Sequence, residues 1–293
     1  MTVIYHVGCS SGKDSSGLLL WLVRESGIPS GQIRATFTNI GNDAPETLEH
    51  IEYLSHEVHP IETIYPPIDF YQLARKKGRF PGAKSRFCTQ ELKMKPSKAY
   101  IDGLLAEGYD VVPCSGVRKE ESDTRAKLTE WGNPLENYYG LSEWRPLIEW
   151  KIEEIFLLHK RHGIRLNPLY AMGMSRVGCL PCIMSRKSEI RRIAKNFPER
   201  IEWLARHEWT DENGYHGFRP RKSVPQAMCH ETYTSPKTGT VFKVPSIHDA
   251  VAWSFTKDHK KDNTQFALDF WFDDPKLDDF DAHVCPSTMA ACE

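Results

Sequence analysis

An apolar segment that runs into a short Gly/Ser turn, and then into an amphipathic helix, constrains this chain more than any other feature. Residues 3–7 have the composition of a buried strand, residues 8–12 read Gly-Cys-Ser-Ser-Gly, and residues 16–26 have helical periodicity. A strand, a tight turn and a helix in this order aim backbone N–H groups at an anion. Gly12 permits a close backbone approach and Lys13 adds a positive charge, so the stretch predicts a polyphosphate site. The alternative interpretation is an ordinary turn that caps a helix.

The spacing within this turn excludes a Walker A loop. That pattern needs four residues between its glycines and a Ser or Thr after the lysine. Here three residues separate Gly8 from Gly12, and Asp14 follows Lys13. The hydroxyl and charged side chains of the turn still suit phosphate oxygens. The residues predicted to bind a nucleotide here are Ser10, Ser11, Gly12, Lys13, Asp14 and Ser15.

Strand and helix patterns alternate up to about residue 170. Tracts of β-branched and aromatic residues predict strands over 33–38, 61–65 and 111–112. Helical periodicity predicts helices that begin near 45 and 70, end at 106, and span 152–162. This alternation predicts an α/β fold, a doubly wound and mainly parallel sheet with helices on both faces. We expect that fold over residues 1–175, followed by a smaller helical and irregular cysteine-containing segment over 176–293.

Ligands of doubly wound sheets bind beyond the carboxyl ends of the strands. Asn39 follows the second predicted strand, where it either contacts the nucleoside or belongs to a polar loop. Gly116 and Arg118 follow the strand at 111–112, and Arg125 comes soon after. Two arginines in this place can clamp phosphates; alternatively, they are exposed charges paired along one helix face. We therefore add Asn39, Gly116, Arg118 and Arg125 to the predicted nucleotide site.

The overall charge limits the partners of this chain. With 38 basic and 39 acidic residues among 293, the formal net charge is −1, which argues against bulk attraction to nucleic acid but allows local patches. Two basic runs predict such a patch, one over 75–79 with Lys84 and Arg86 and the other over 186–192. Two unrelated solvated faces are the alternative. No apolar run approaches the ~20 residues that span a bilayer, and we expect a cytoplasmic protein with no membrane partner.

Eight cysteines point to metal or redox chemistry, because a cytoplasmic chain of this size is a poor setting for a disulfide scaffold. Cys179 and Cys182 form a C-x-x-C pair. Thiolates suit an iron–sulfur cluster or zinc, and their spacing alone does not distinguish the two. A buried, inert thiol is the alternative for any single cysteine.

Six segments and one tryptophan, in order along the chain, are typical of one superfamily. The turn at 10–15 resembles S-G-G-x-D-S, with Ser11 where the first glycine is usual. The segments that follow resemble T-G-x-E-x-P-E-T at 38–47, C-T-x-x-L-K-x-x-P at 88–96 and G-x-R-x-x-E-S-x-x-R at 116–125. The closing motifs are matched by Trp150, residues 167–170 and residues 178–182. From residue 3 to about 182 the chain therefore resembles the phosphoadenosine phosphosulfate reductase-like branch of the PP-loop ATP pyrophosphatase superfamily.

The intact turn is most similar to that of Dnd-type DNA phosphorothioation sulfurtransferases, which share the C-T-x-x-L-K motif. The resemblance implies an enzyme that splits ATP into AMP and pyrophosphate and so activates a nucleic acid or a nucleotide for sulfur insertion. Lys13, Asp14 and Arg118 are the expected catalytic residues, and Lys13 would stabilise the leaving pyrophosphate while Asp14 helps to hold Mg²⁺. The expected partners are ATP and a cysteine desulfurase that donates the sulfur.

The same resemblance implies a 4Fe-4S cluster. Its expected ligands are Cys88, Cys179, Cys182 and, as the best fourth candidate, Cys229. Cys114 is an alternative fourth ligand, and zinc is the alternative metal.

Two other functions are compatible with the resemblance. One is a thiol-dependent phosphoadenosine phosphosulfate or adenylylsulfate reductase, in which Cys285 or Cys292 would act as the nucleophilic tail cysteine, although the chain contains no Glu-Cys-Gly. The other is a catalytically inert nucleotide-binding subunit of a larger complex, against which Lys13 and Asp14 argue.

Overall fold

The computed structural model describes residues 2–136 and 138–257. Among them, six strands form one sheet: β1 (Val3–Gly8), β2 (Ile33–Thr38), β3 (Ile61–Ile64), β4 (Asp110–Cys114), β5 (Trp131–Gly132) and β6 (Glu143–Trp144). Their order across the sheet is β3-β2-β1-β4-β6-β5. All neighbours pair in parallel except β5, which is antiparallel to β6. The predicted doubly wound, mainly parallel sheet is confirmed.

Helices connect and cover these strands. They are α1 (Lys13–Arg24), α2 (Pro45–Glu57), α3 (Phe70–Lys76), α4 (Phe87–Thr89), α5 (Lys95–Ala106) and α6 (Ile152–Arg161). A π-helical turn, Gln90–Met94, joins α4 directly to α5. Helix α3 begins with a capping box, in which Asp69 Oδ1 accepts from Gln72 N at 2.7 Å and Gln72 Oε1 accepts from Asp69 N at 2.9 Å. Short 3-10 helices lie at Ser30–Gln32, Lys119–Glu121, Arg125–Lys127, Pro134–Glu136, Arg221–Ser223 and Gln226–Met228.

The helices cover both faces of the sheet because successive side chains of a strand point to opposite sides. On one face, Val7 of β1 belongs to an apolar cluster with Leu19 of α1 and Ile155 of α6. On the other face, Ile4 of the same strand packs with Ile101 of α5. Fully burying a side chain of this size contributes roughly 1.5–3 kcal/mol. The alternation of buried side chains along β1 therefore fixes how this strand lies in the sheet. The position of the strand in turn determines where the turn into α1 begins.

The C-terminal part of the described chain combines helices with a second sheet. Its elements are α7 (Lys187–Asn196), α8 (Pro198–Ala205), β7 (Trp209–Asp211), β8 (Gly214–His216), β9 (Glu231–Thr234), β10 (Val241–Val244) and α9 (Ile247–Ser254). The four strands form an antiparallel sheet in the order β10-β9-β8-β7, which the sequence did not predict. Gly214 permits it, because a Cβ atom at this position would lie 2.4 Å from the Thr232 carbonyl oxygen of β9.

One apolar cluster joins the two sides of the boundary predicted at residue 175. It contains Phe70 of α3 and Leu169, together with Ile193 of α7, Phe218 and Ile247 of α9. None of the helices within the described ranges is long and apolar enough to cross a membrane. The tail cysteines at 285 and 292 lie outside the described residues.

Candidate functional site

The turn between β1 and α1 presents the start of a helix at the carboxyl edge of the sheet. The first N–H groups of a helix have no acceptor within the helix, which makes this end a site for anions. Gly12 is the N-cap residue in an extended conformation, with φ −76° and ψ 149°, and no side chain caps the helix there. This turn lies at the point where the strand order of the sheet reverses, because β2 and β4 lie on opposite sides of β1. Doubly wound folds bind their ligands at such a point.

Ser11 holds the turn in an unusual conformation. Its φ is +63°, a left-handed value that costs a non-glycine residue about 1–2 kcal/mol. The buried Ser11 hydroxyl accepts from Asn167 Nδ2 at 2.7 Å and donates to His50 Nδ1 at 2.8 Å. The other ring nitrogen of His50 donates to the Arg165 carbonyl at 2.9 Å, and burial lowers the pKa of His50, so the ring is the neutral acceptor this network needs. These hydrogen bonds explain why a serine occupies the position where the resemblance has glycine.

Ser10 and Ser15 close the turn on itself. The Ser10 N–H donates to Ser15 Oγ at 3.0 Å, and Ser15 Oγ donates to the Gly12 carbonyl at 3.0 Å. The next serine ties the turn to α6, because Ser16 Oγ lies 2.9 Å from His159 Nε2. His159 Nδ1 donates to the Ile155 carbonyl at 2.8 Å, and burial lowers the pKa of His159 to about 4. The imidazole is therefore neutral, with Nε2 as the acceptor of the Ser16 hydroxyl.

Lys13, Asp14 and Arg118, the three predicted catalytic residues, come together at the start of α1. Lys13 Nζ donates to Asp14 Oδ2 at 2.6 Å, and Arg118 Nε donates to Asp14 Oδ1 at 2.7 Å. Burial alone would raise the pKa of Asp14, but the charges of Lys13 and Arg118 hold it below its usual value. Only 2% of Arg118 is exposed, and its guanidinium also pairs with Glu120. Both oxygens of the Asp14 carboxylate are occupied by cations, so this arrangement does not fit Mg²⁺ ligation by Asp14.

Gly116 packs directly against this group. A Cβ atom there would lie 2.4 Å from the Asp14 carbonyl oxygen, so only glycine lets the segment after β4 approach α1 this closely. Arg125 pairs with Glu121, whose Oε2 also accepts from the Arg118 N–H at 3.0 Å. Asn39 folds onto its own loop, with Oδ1 accepting from Gly41 N at 3.0 Å. Gly116 thus packs against the turn, and nucleotide contacts by all the predicted residues, including Asn39 and Arg125, stay predictions.

Sequence reasoning missed the residues that support the turn from the far end of the domain. Tyr170 is buried, and its hydroxyl accepts from the Lys13 N–H at 3.1 Å. Asn167 and His159 provide the hydrogen bonds to Ser11 and Ser16. The sequence offered one signal for these residues, because residues 167–170 form one of the motifs that carry the family resemblance. That signal identified the segment without assigning a role to its side chains.

Three of the four predicted metal ligands lie around one lysine. Lys93, in the π-helical turn, has Cys179, Asp43, Cys182 and Cys88 around it, and the negative charge that these groups carry when ionised, that of Cys179 above all, raises its pKa. Cys179 Sγ lies 3.9 Å from Asp43 Oδ1, and the two residues form an isolated antiparallel bridge. Burial raises the pKa of Cys179 to about 12, so this thiol is protonated at neutral pH.

The predicted fourth ligands point elsewhere. Cys229 Sγ lies 3.4 Å from the Pro225 carbonyl; burial raises the pKa of its thiol, and the charges that act on it are those of Asp249 and Lys243. Cys114 is buried in the cluster between the sheet and α1. Across residues 2–136 and 138–257, no group of three or more His, Cys, Asp or Glu side chains is arranged to hold a metal ion. Three thiols around an ammonium group do not fit a four-thiolate cluster, so the cluster and its zinc alternative stay predictions.

The two predicted basic runs differ in their surroundings. In the first, Arg75 lies over the Trp209 ring at 5.1 Å and Arg79 over the Phe87 ring at 5.5 Å, and both residues are exposed. In the second, Arg191 Nε and Arg192 Nη1 donate to the backbone carbonyls of Ser254 and Gly173. The first run therefore forms a basic surface, whereas the second run joins segments of the C-terminal part.

Comparisons with known proteins identify the family of this domain. A model described as the phosphoadenosine phosphosulfate reductase domain matches residues 4–185. A 37.8 kDa protein of Escherichia phage 186 is 34% identical over 256 residues, which cover 71% of this chain and 75% of the relative. An adenosine 5'-phosphosulfate reductase of Streptomyces coelicolor is 29% identical over 131 residues, covering 44% of this chain and 48% of that enzyme.

Other similarities are more distant. A protein of Methanocaldococcus jannaschii is 27% identical over 198 residues, which cover 66% of this chain and 39% of the relative. The chain thus spans less than half the length of both the archaeal and the Streptomyces relatives. The solved structure of phosphoadenylyl-sulfate reductase from Candida auris is 14% identical and has a TM-score of 0.45 over 62% of this chain and 83% of that one.

Proposed function

Because this chain belongs to the phosphoadenosine phosphosulfate reductase domain family, we propose that it is an ATP-dependent sulfurtransferase that activates a nucleic acid or a nucleotide for sulfur insertion. The observation that carries this proposal is the charged group Lys13, Asp14 and Arg118 at the start of α1. A substrate that is already activated needs no stabilised pyrophosphate leaving group. Two cations held at the positive end of a helix suit an enzyme that creates one.

The proposed reaction has two displacements. An oxygen of the acceptor first attacks the α-phosphorus of ATP, the bond to the bridging oxygen breaks, and pyrophosphate leaves with both electrons of that bond. The terminal sulfur of a persulfide, supplied by a cysteine desulfurase, then attacks the activated acceptor atom and AMP leaves. A thiol reductant cleaves the resulting S–S bond, which leaves one sulfur on the acceptor and joins the thiol to the carrier cysteine in a mixed disulfide. Lys13 and the N–H groups of the turn stabilise the charge on the pyrophosphate. Asp14 positions Lys13, and Arg118 in turn holds Asp14 from a buried site.

The decisive experiment compares Lys13→Ala with the matched variant Lys98→Ala. Both lysines pair with an aspartate, but Lys98 pairs with Asp102 on the exposed side of α5. Loss of a charge-assisted contact should weaken ATP binding by roughly 1.5–3 kcal/mol in Lys13→Ala alone. Adenosine binding should be equal in both variants, and pyrophosphate release should fall only in the first. Equal ATP affinity in calorimetry for Lys13→Ala and the wild type would refute the assignment.

A second candidate, a sulfonucleotide reductase, is favoured by the Streptomyces relative, which is an adenosine 5'-phosphosulfate reductase. It predicts sulfite release from adenylylsulfate with a thiol reductant, and no release of pyrophosphate from ATP. Activity should then disappear when Cys285 and Cys292 are both replaced by serine. The sulfurtransferase should tolerate that double replacement, so one pair of assays separates the two functions. A nucleotide-binding subunit without catalysis would bind ATP and release neither product.

The predicted metal cluster has its own test and is not needed for either displacement. The optical spectrum of anaerobically purified protein, with an iron and sulfide assay, shows whether a cluster is present. Serine at Cys179 should abolish the brown colour if it is. A colourless preparation with stoichiometric zinc would favour the alternative metal.

A further inference from the structure

A cavity of about 690 Å³ lies beside the free edge of the main sheet. Its walls come from β3 and the residues that follow it, from α3, and from the π-helical turn with the first half of α5. The volume falls within the range of about 300–1,000 Å³ that is typical of small-molecule sites. No residue of the charged group at the start of α1 lines it, so it is distinct from the turn at residues 8–12 between β1 and α1, which we call the phosphate turn after its proposed ligand.

The lining is suited to a flat, uncharged ring. Ile64 and Leu92 form part of an apolar floor, and Pro66 and Pro67 add rigid walls. Tyr65 stands at the cavity with 72% of its surface exposed, so its ring is accessible to a ligand there. An aromatic ring, rigid apolar walls and space for a small molecule match the stacking of a nucleobase.

The charged side chains of the cavity indicate a second property of its ligand. Lys77 and Lys95 both pair with Glu91, at 3.6 Å and 2.6 Å. Lys76 lines the same cavity, is exposed, and takes part in no ion pair within the described portion of the chain. A ring site bordered by an exposed, unpaired lysine suits a base that is attached to a phosphate.

The position relative to the phosphate turn also fits an acceptor. Parallel strands β1, β2 and β3 end side by side at the carboxyl edge of the sheet, and Asn39 N donates to the Ile64 carbonyl at 3.0 Å. Neighbouring strands lie about 4.8 Å apart, so the cavity begins about 10 Å from the turn that follows β1. A nucleotide chain spans this distance with one or two phosphates.

From this arrangement we infer that the cavity beside β3 is the acceptor site, which takes one unstacked base of a single-stranded nucleic acid while Lys76 contacts a flanking phosphate. The inference rests on the proposed function, since it identifies the acceptor of the sulfur. Basic grooves combined with aromatic rings are the usual means of binding single strands. A duplex keeps its bases stacked and is expected to bind poorly.

The test uses the full chain and a short single-stranded DNA that carries one 2-aminopurine, whose fluorescence reports on stacking. Tyr65→Ala should weaken binding roughly tenfold and abolish the fluorescence change, whereas Tyr65→Phe should behave as the wild type. Lys76→Glu should weaken binding and reduce the slope of log affinity against log salt by about one. The matched charge reversal, Lys237→Glu in the β9–β10 hairpin, should change neither quantity. All four variants should bind ATP as the wild type does.

Three results would overturn the inference: no binding of single strands by the wild type, equal affinity for duplex, or unchanged binding and fluorescence in Tyr65→Ala. Pyrophosphate release from ATP distinguishes this failure from failure of the proposed function. Release with no dependence on Tyr65 would leave the sulfurtransferase proposal intact and remove only the acceptor site. Base insertion without any release of pyrophosphate would support the cavity and refute the proposed activity.

Discussion

Replacing Gly116 by alanine tests whether the segment after β4 sets the geometry of the phosphate turn. The added Cβ would lie 2.4 Å from the Asp14 carbonyl oxygen and 2.9 Å from its carbonyl carbon. A normal carbon–oxygen contact is about 3.3 Å, so the two segments must separate by roughly 0.9 Å. Gly116 does not adopt a positive φ, so alanine meets no backbone penalty there and the effect is steric.

The displaced atoms are backbone atoms of α1, which cannot rotate away as a side chain would. Overpacking of this kind costs about 1–3 kcal/mol, and we expect the free energy of unfolding of Gly116→Ala to fall by about 2 kcal/mol. A shift of nearly 1 Å at a reacting group can lower a rate by about 100-fold. We therefore expect ATP affinity at least tenfold weaker and pyrophosphate release reduced further.

The matched control is Gly103→Ala in α5. A Cβ atom at Gly103 would meet no other atom within 4 Å. Alanine in the interior of a helix should raise the free energy of unfolding by about 1 kcal/mol and leave ATP binding unchanged. Urea unfolding and calorimetry measure both quantities. If Gly116→Ala matches the wild type in stability and ATP affinity, the argument that this contact shapes the turn is wrong.

Three further predictions concern buried hydrogen bonds. Burial lowers the pKa values of His6 and His159 to about 4 in the folded protein, against 6.5 for an exposed imidazole. Protonation therefore favours the unfolded chain. Each histidine should lower the free energy of unfolding by about 2 kcal/mol as the pH falls from above 6.5 to 5. Urea unfolding at pH 7.5 and 5 measures this loss, and a flat profile would contradict it. Ser11→Gly loses the hydroxyl but relieves the left-handed strain, whereas Ser11→Ala loses the hydroxyl and keeps the strain. The free energy of unfolding should therefore decrease from the wild type to the glycine variant, and again to the alanine variant. An alanine variant as stable as the glycine variant would exclude strain at this position. Tyr170→Phe removes the acceptor of the Lys13 N–H and should cost about 1 kcal/mol without nucleotide but less at saturating ATP, where a phosphate oxygen replaces it. An equal loss in both conditions would show that the nucleotide does not reach this N–H.

The sequence predicted the main sheet well because buried parallel strands are short apolar runs. β2 spans Ile33–Thr38 as predicted, and β3 ends one residue early at Ile64. Helix α1 begins at Lys13 rather than at residue 16, because its first turn is polar and contributes nothing to an apolar period. The π-helical turn Gln90–Met94 has no residue signature that separates it from an ordinary helix.

The second sheet was missed for a different reason. β9 is mostly exposed, and β7 and β8 have three residues each, so no alternation of buried and exposed side chains marks them as strands. Their pairing depends on the close approach at Gly214, which is a contact between segments. The same limit applies to the site. Lys13 and Asp14 belong to a local motif, whereas the hydroxyl of Tyr170 reaches Lys13 across 157 positions of sequence.

This distance also determines when the turn can form during translation. Ser11 leaves the ribosome well before its partner Asn167, which follows 156 positions later. At about 5–20 residues per second, the ribosome needs roughly 8–30 s to synthesise that interval. Arg118, which fixes Asp14, arrives 104 positions after it. A nascent chain therefore carries the complete local motif long before it has the side chains that shape the turn, and we expect the proposed nucleotide binding only near the end of synthesis of the domain.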